Sequence, residues 1–320
     1  MSATKTGVVV RTDAKFVHVE VDGAMLQAAP RGTLYGQDDA RREQKNPVAV
    51  GDEVVVEMGT TPAGLERVLP RRNTLSRIAS SHDPREQVLA ANVDQVVVVG
   101  SLKKPKFSSN RTDRILATCV WQHLAPVVVL NKIDLVDAEE LDAIQATYEQ
   151  IPVQVLATSA VDGRGIEELR KLLRGRTSVL YGASGAGKSS LLNALQPGLR
   201  LKVGKISKFW DQGKHTTTHS QLLRLDFGAA VIDTPGIRVF RPYGVPLANL
   251  RDLFPEFQRH SPRCKFPDCS HDHEPDCAVF DAVEDGDIPA SRYASFVEML
   301  DEARGAGPEV EEVEGEPTDE

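Results

Sequence analysis

Residues 182–189 read Gly-Ala-Ser-Gly-Ala-Gly-Lys-Ser, which has the spacing of a phosphate-binding loop. Glycines let the backbone curl until several N–H groups point at one oxyanion, and the dipole of a following helix adds positive charge there. The alternative is a glycine-rich turn that binds nothing. The pattern favours a nucleotide site, and its predicted residues are Gly182, Ala183, Ser184, Gly185, Ala186, Gly187, Lys188, Ser189 and Ser190.

A second motif, Asn-Lys-Ile-Asp at residues 131–134, indicates which base this loop accepts. A carboxylate at Asp134 can accept hydrogen bonds from both the N1–H and the exocyclic amine of guanine. Adenine offers no such pair of donors, and a buried carboxylate left unpaired costs on the order of several kcal/mol. The sequence therefore predicts GTP or GDP as the ligand. The predicted base-contacting residues are Asn131, Lys132, Ile133, Asp134, Ser159 and Ala160.

A third motif, Asp-Thr-Pro-Gly at residues 233–236, supplies groups for the metal and the terminal phosphate. Lys188 is expected to reach the β- and γ-phosphates, and the N–H of Gly236 is expected to meet the γ-phosphate. Carboxylate and hydroxyl oxygens suit Mg²⁺. The predicted Mg²⁺ ligands are Ser189, Thr217 and Asp233.

The group that positions the attacking water is less obvious. Some GTPases place a glutamine directly after this third motif, but here that position is Ile237, which makes no side-chain hydrogen bond. His215 is the predicted substitute, because an imidazole has a pKa near working pH and can orient water. The alternative is an exposed loop histidine, with the water held by a backbone group. The predicted catalytic residues are His215, Lys188, Thr217 and Gly236.

Cys264, Cys269, His271 and Cys277 lie within a short stretch near the C-terminus. Three thiolates and one imidazole with four protein ligands match a closed, structural Zn²⁺ site. A disulfide is disfavoured, because three cysteines leave one over and a cytosolic protein would not keep the bond. His273 is a rival to His271 as the fourth ligand. Cys119, among apolar neighbours, is predicted to be a core residue.

The elements that position these motifs alternate between strand and helix from about residue 85. The pattern predicts a doubly wound α/β domain, in which ligands bind at the carboxyl ends of the strands. The base motif precedes the phosphate loop here, whereas ordinary GTPases have the reverse order. Because all the loops emerge at one edge of a sheet, the site survives such a circular permutation. Predicted strands are 94–99, 126–130, 153–156, 177–181, 222–227 and 230–233, and predicted helices are 110–121, 138–149, 166–173 and 190–195.

The remaining chain predicts a multi-domain organisation. Residues 1–70 are rich in β-branched residues and turn signals, which favours a small closed barrel of the OB-fold type, with a purely structural barrel as the alternative. We predict a linker at 71–84, the permuted GTPase domain at 85–240 and a small α-helical zinc-binding domain at 241–304, with an apolar stripe on a helix at 292–304. Residues 305–320 read as a disordered acidic tail.

Charge and hydropathy limit the class of protein. The formal net charge is −8, and it becomes −1 without the seven acidic side chains of residues 305–320. A near-neutral body can still carry a basic face, so RNA is not excluded. No apolar run approaches the roughly 18 residues of a membrane span, and the first residues have no apolar signal-peptide core. We therefore expect a cytoplasmic protein that does not use a membrane.

These features together resemble the ribosome small-subunit-dependent GTPases of the RsgA type, over about residues 5–304. The runs 87–94 and 213–218 also match that family. The resemblance implies a GTP hydrolase of late small (30S) ribosomal subunit maturation, stimulated by that particle. It also implies a monomer that contacts 16S rRNA through the OB-fold and zinc domains.

Two other classes remain open: a regulatory GTPase with a protein partner, and an RNA-binding protein whose nucleotide site is only structural. Basic residues in predicted loops are the expected RNA contacts, with solvated surface charge as the alternative. They are Arg71, Arg72, Lys103, Lys104, Lys106, Lys202, Lys205 and Lys208.

Overall fold

The computed structural model describes residues 3–13, 15–31, 44–80, 82–199, 201, 220–234 and 240–305. The predictions for His215, Thr217, Gly236, residues 202–208 and the tail beyond residue 305 lie outside these ranges. The chain forms two compact units, Met1–Gly244 and Val245–Glu320, which are described separately. Among the described helices, none combines the length and the apolar character needed to cross a bilayer.

The N-terminal strands close into a barrel. They are β1 (Thr4–Thr12), β2 (Val17–Val21), β3 (Ala24–Pro30), β4 (Glu53–Glu57) and β5 (Ala63–Val68). They pair in the order β1-β2-β3-β5-β4, and β4 returns to β1. Burial alternates along β2, so its valines point inward and pack with valines and a leucine of β4 and β5. The predicted small barrel is confirmed.

The predicted linker at 71–84 is wrong, because an antiparallel hairpin occupies most of it. Strand β6 (Thr74–Ser80) pairs with β7 (Asp83–Ala91) in a separate two-stranded sheet. The proline at position 84 suggested a loop, but proline is tolerated where a strand lies at a sheet edge. Apolar side chains of both strands, such as Leu75 and Val88, are buried.

The basic stretch before this hairpin is also not the exposed loop that the sequence suggested. The side chain of Arg71 is only 9% exposed and pairs with the fully buried Asp52, with Nε 2.7 Å from Oδ1. A second bond joins Arg71 Nη2 to Asp52 Oδ2 at 2.9 Å. Arg71 therefore fixes the chain where it leaves the barrel, and it is not available as an RNA contact.

A doubly wound sheet follows the hairpin. Its strands are β8 (Gln95–Ser101), β9 (Pro126–Asn131), β10 (Gln154–Thr158), β11 (Thr177–Tyr181), β12 (Gln221–Leu225) and β13 (Ala229–Asp233). They run in the order β10-β9-β8-β11-β13-β12, parallel except for β12. The barrel strand β1 continues this sheet through a pairing of Arg11 with Gln221.

Helices cover both faces of this sheet. They are α1 (Ser109–Trp121), α2 (Ala138–Glu149), α3 (Ile166–Leu173) and α4 (Lys188–Leu195). Successive valines of β8 and β9 alternate between two apolar clusters. One cluster contains Ile115 of α1 and Tyr148 of α2, and the other contains Leu169 of α3 and Leu191 of α4. The predicted α/β fold class is confirmed.

The second unit is small and helical. Short 3₁₀ segments at Leu247–Leu253, Pro255–Arg259 and Ser261–Arg263 precede α5 (Ala278–Glu284) and α6 (Ala290–Ala303). Phe254, Phe257 and Phe296 form its core, with ring centroids 5.1–5.4 Å apart. Phe296 and Leu300 of the predicted apolar stripe are buried, which agrees with the sequence-based prediction.

Candidate functional site

The glycines of the phosphate loop are required by the close approach of neighbouring strands. Gly187 has a φ of +97°, and a Cβ there would lie 2.2 Å from Nδ2 of Asn131. A Cβ on Gly182 would lie 2.4 Å from the carbonyl oxygen of Val99 in β8. The following Lys188 is buried, and its Nζ donates to the carbonyl of Gly182 at 2.6 Å. The loop is therefore held against the ends of two other strands.

A buried carboxylate faces this lysine from the next strand. Asp233 ends β13 and is 6% exposed, and its Oδ1 has no hydrogen-bond partner among the described residues. Burial raises the pKa of Asp233 to about 6, while the Lys188 ammonium opposes that rise. Burial also lowers the pKa of Lys188, against the effect of Asp233. Such an unpaired carboxylate oxygen, together with the Ser189 hydroxyl of the phosphate loop, fits a hard cation such as Mg²⁺.

The base-recognition motif is joined to the phosphate loop by hydrogen bonds. Asn131 is 1% exposed, and its Nδ2 donates to the carbonyl of Ala186 at 2.8 Å. Its Oδ1 accepts from the Thr158 hydroxyl at 3.2 Å. Lys132 adopts a left-handed conformation with a φ of +67°, and its Nζ reaches the carbonyl of Gly185 at 2.7 Å. The ends of β9 and β10 thereby fix the loop after β11.

The carboxylate that would read guanine is oriented by a serine. Oδ1 of Asp134 accepts from Oγ of Ser159 at 2.7 Å. The same Oγ accepts from the backbone N–H groups of Val161 and Asp162, each at 3.3 Å. Oδ2 of Asp134 accepts no hydrogen bond from the described residues, so it is open to a ligand. The side chain of Ile133 is buried in the core, so only its backbone remains for the ligand.

The structure brings the described site residues to one edge of the sheet, at the carboxyl ends of β9, β10, β11 and β13. Sequence reasoning missed Thr158, which orients Asn131, and Thr234, whose hydroxyl donates to the carbonyl of Leu180 at 3.0 Å. Both lie beside predicted site residues, but nothing in the sequence assigns a partner to either hydroxyl.

The four predicted zinc ligands converge in the second unit. The ligand atoms of Cys264, Cys269, His271 and Cys277 all lie within 4.8 Å of one another. Nδ1 of His271 is 3.6 Å from Sγ of Cys264 and 3.5 Å from Sγ of Cys277. Zn–S bonds of about 2.3 Å and Zn–N bonds of about 2.05 Å give a tetrahedral N···S edge of about 3.6 Å. The donor set therefore fits Zn²⁺, with Nδ1 as the imidazole ligand.

The surroundings of this cluster favour His271 over its rival. The side chain of His273 is 73% exposed and pairs with Asp272, outside the cluster. The backbone carbonyl of His271 accepts from the Tyr293 hydroxyl at 2.8 Å. The carboxylate of Glu274 accepts from the N–H of Ser270 at 2.8 Å and so shapes the loop between the ligands.

Three kinds of comparison agree on what this chain resembles. The sequence model of the RsgA GTPase family matches residues 68–242. A protein named small ribosomal subunit biogenesis GTPase RsgA from Chlorobaculum parvum is 40% identical over 311 residues, covering 94% of this chain and 99% of that protein. The protein of the same name from Thermotoga neapolitana is 38% identical over 313 residues, covering 96% and 99%.

Two solved structures are similar over nearly the whole chain. YjeQ from Thermotoga maritima superposes with a TM-score of 0.72 at 36% identity, covering 95% of this chain and 99% of that one. YloQ gives a TM-score of 0.68 at 29% identity, covering 96% and 97%. YloQ is described as a circularly permuted GTPase, which agrees with the motif order of this sequence.

Proposed function

The chain belongs to the RsgA family of GTPases, and from that premise we propose that it hydrolyses GTP during late maturation of the small (30S) ribosomal subunit. The observation that carries this proposal is the hydrogen-bonded junction between the base motif and the phosphate loop. Asn131 bonds Ala186, and Lys132 bonds Gly185, so the guanine-reading and phosphate-binding groups form one preformed site. The test is GTP turnover with and without purified small subunits.

We propose roles for the site residues that agree with their positions. Asp134 accepts the two guanine donors, with Ser159 holding its carboxylate in place. Loop N–H groups and Lys188 would bind the β- and γ-phosphates, and Mg²⁺ would supply positive charge to the same phosphates. Ser189 and Asp233 would hold that ion, together with Thr217, which lies outside the described residues.

The groups that we propose to position the attacking water lie outside the described residues. We propose that the Gly236 N–H meets the γ-phosphate and that His215 orients the water, because Ile237 has no polar side chain. His215→Ala should leave GTP affinity nearly intact and remove most of the subunit-stimulated turnover. Stimulated turnover that survives within about twofold would assign the water to a backbone group or to the ribosome.

We further propose that 16S rRNA is contacted mainly by the first unit. Met1–Gly244 carries 32 basic and 26 acidic side chains, a formal charge of +6. Of the predicted RNA contacts described in this unit, Lys104 and Lys106 are exposed without ion pairs, whereas Lys103 pairs with Glu140. Affinity for the subunit should fall steeply with salt, as it does whenever cations replace the counterions of phosphates.

The second unit has the opposite charge. Val245–Glu320 carries 6 basic and 20 acidic side chains, a formal charge of −14. We propose that the implied rRNA contact of the zinc domain uses its basic stretch, where Arg259 and Arg263 lie close in sequence, whereas Lys265 pairs with Asp276. The same charge favours one alternative, a cationic protein partner for this unit. Subunit affinity that does not change between low and moderate salt would favour that alternative.

The zinc site has a structural role in this proposal. Four protein ligands leave no open position for a substrate. One Zn²⁺ per chain would crosslink the second unit.

Work on ribosomal particles implies a cytoplasmic protein, and we propose that it acts as a monomer.

A further inference from the structure

One ring nitrogen of His271 is buried without a hydrogen-bond partner. The residue is 1% exposed, and its Nδ1 faces the sulfur atoms of Cys264 and Cys277. Its Nε2 is also buried and forms no hydrogen bond with the residues that the structure describes. When Nδ1 binds a metal ion, the neutral ring carries its proton on Nε2. That N–H then needs a partner of its own, because leaving a buried donor unpaired is costly.

The backbone that carries this ring is held in place. His271 has a φ of +62°, in the left-handed region. Its carbonyl accepts from the Tyr293 hydroxyl at 2.8 Å, and the carbonyl of Cys269 accepts from Nη1 of Arg251 at 2.7 Å. With Nδ1 bound to the metal as well, the ring could not rotate to bring Nε2 to a distant acceptor.

The carboxylates near the cluster are occupied by other donors. Oε1 of Glu274 accepts from the N–H and the hydroxyl of Ser270, at 2.8 Å and 2.7 Å, and its Oε2 accepts from the N–H of Asp272 at 3.3 Å. Oδ2 of Asp272 pairs with Nη1 of Arg304 at 2.6 Å. Zinc-binding histidines usually donate their second N–H to a carboxylate, a carbonyl or a water. Within the described ranges, neither a carboxylate nor a carbonyl takes that role for His271.

The ring of Phe257 stands against the imidazole instead. The two ring centroids are 5.9 Å apart, and the ring planes are nearly perpendicular, at 85°. An edge-to-face arrangement of this kind directs the positive edge of one ring at the negative face of the other. The N–H is the most positive part of the imidazole edge, and N–H groups donate to aromatic faces.

Phe257 is fixed by the aromatic core of the second unit. Its ring stacks on Phe254 with centroids 5.2 Å apart, and it meets Phe296 edge to face at 5.1 Å. Its carbonyl accepts from the N–H of His260 at 2.9 Å. Phe257 belongs to the 3₁₀ segment Pro255–Arg259, which precedes all four metal ligands in the sequence. The core of the unit therefore reaches the metal site through this ring.

We propose that the face of Phe257 accepts the Nε2–H of His271 and so positions the imidazole as a zinc ligand. The contact keeps the proton on Nε2 and leaves the lone pair of Nδ1 for Zn²⁺. Phe257 is then a positioning residue of the metal site. This inference rests on the Zn²⁺ site of the proposed function.

The test uses the full ¹⁵N-labelled chain, with its zinc content measured by elemental analysis. Two-bond ¹H–¹⁵N correlation spectra identify which nitrogen of His271 carries the proton. We expect the proton on Nε2, with a resonance upfield of ordinary imidazole N–H protons because it lies over the Phe257 ring. Phe257→Leu should move that resonance back downfield. It should also weaken zinc binding, measured by competition with a chelator, by about tenfold, as is typical when a metal ligand loses its supporting partner.

Phe254→Leu is the matched control, because Phe254 belongs to the same core and has no ring contact with His271. It should leave the Nε2–H resonance in place. The inference is overturned if the proton is on Nδ1, if the wild-type resonance is not shifted upfield, or if Phe254→Leu moves it as much as Phe257→Leu does. The wild-type spectrum decides the matter even where a variant does not fold. A chain without zinc would refute the metal site itself, whereas bound zinc with an unshifted proton would refute only the contact with Phe257.

Discussion

Gly187→Ala and Gly185→Ala form a matched pair that tests how the base motif is joined to the phosphate loop. Both glycines have positive φ, +97° at Gly187 and +80° at Gly185, so alanine is strained at either position. That strain costs about 1–2 kcal/mol. The two positions differ in what a new Cβ meets. At Gly187 it lies 2.2 Å from Nδ2 of Asn131, whereas at Gly185 its nearest neighbour is Cδ of Pro105 at 3.5 Å, an ordinary contact.

The clash at Gly187 must displace Asn131 from its buried bond to the carbonyl of Ala186, which is 2.8 Å long. Leaving such a buried group unpaired costs about 1–3 kcal/mol. We therefore expect Gly187→Ala to lose about 2–5 kcal/mol and Gly185→Ala about 1–2 kcal/mol. For a unit of this size, the melting temperatures of the two variants should differ by roughly 2–12 °C.

Calorimetric unfolding measures this difference, and competition with a labelled guanine nucleotide measures its effect on binding. Because Asp134 follows Asn131 by only three residues, Gly187→Ala should also weaken guanine nucleotides more than Gly185→Ala does. In an Asn131→Ala background the steric conflict is gone, so the two glycine substitutions should become equally costly. Equal losses in the wild-type background, or an unchanged difference in the Asn131→Ala background, would refute the proposed junction.

Three further predictions concern the base, the metals and the pH dependence. Asp134→Asn should weaken GTP by at least about a hundredfold and favour xanthosine triphosphate, because two hydrogen bonds to a charged acceptor are lost; a competition assay showing retained guanine preference would contradict this. Cys269→Ser should abolish the one zinc per chain seen by elemental analysis and unfold residues 245–305 locally, whereas Cys119→Ala should keep the zinc; equal zinc in both variants would exclude the site. Burial raises the pKa of Asp233 from 3.8 to about 6, so its ionised form destabilises the nucleotide-free fold as pH rises through that window. Asp233→Asn should therefore raise the free energy of unfolding at pH 7, by on the order of 3 kcal/mol, and much less at pH 4, while weakening Mg²⁺·GTP binding; a urea-unfolding difference that does not depend on pH would contradict the burial of this carboxylate.

The elements that surround the nucleotide site were predictable because a strand buried on both faces of the sheet is a continuous apolar run, which is visible in the sequence. The apolar run at Thr177–Tyr181 and the helices at Ala138–Glu149 and Ile166–Leu173 have the predicted bounds. The hairpin at 74–91 was missed because distant partners fix it. Gln122 at the end of α1 bonds the backbone and hydroxyl of Ser76, and the N–H of Ala91 donates to the carbonyl of Val50 at 2.9 Å.

The residues of the candidate site were also predictable only in part. Motif spacing identified Asp134, Lys188 and Asp233 as residue types with a role, because each type has one obvious chemistry at its position. Spacing could not choose between His271 and His273, since only the fold buries the first and exposes the second.

The most direct test of the proposed GTPase function is GTP turnover by the full chain with and without purified small ribosomal subunits. We expect slow turnover by the free protein and a rise of at least about tenfold with small subunits, because a partner must order the groups that position the water. Asp134→Asn should remove that stimulated turnover with GTP at the same concentration. Turnover that is the same with and without small subunits would contradict the proposed function.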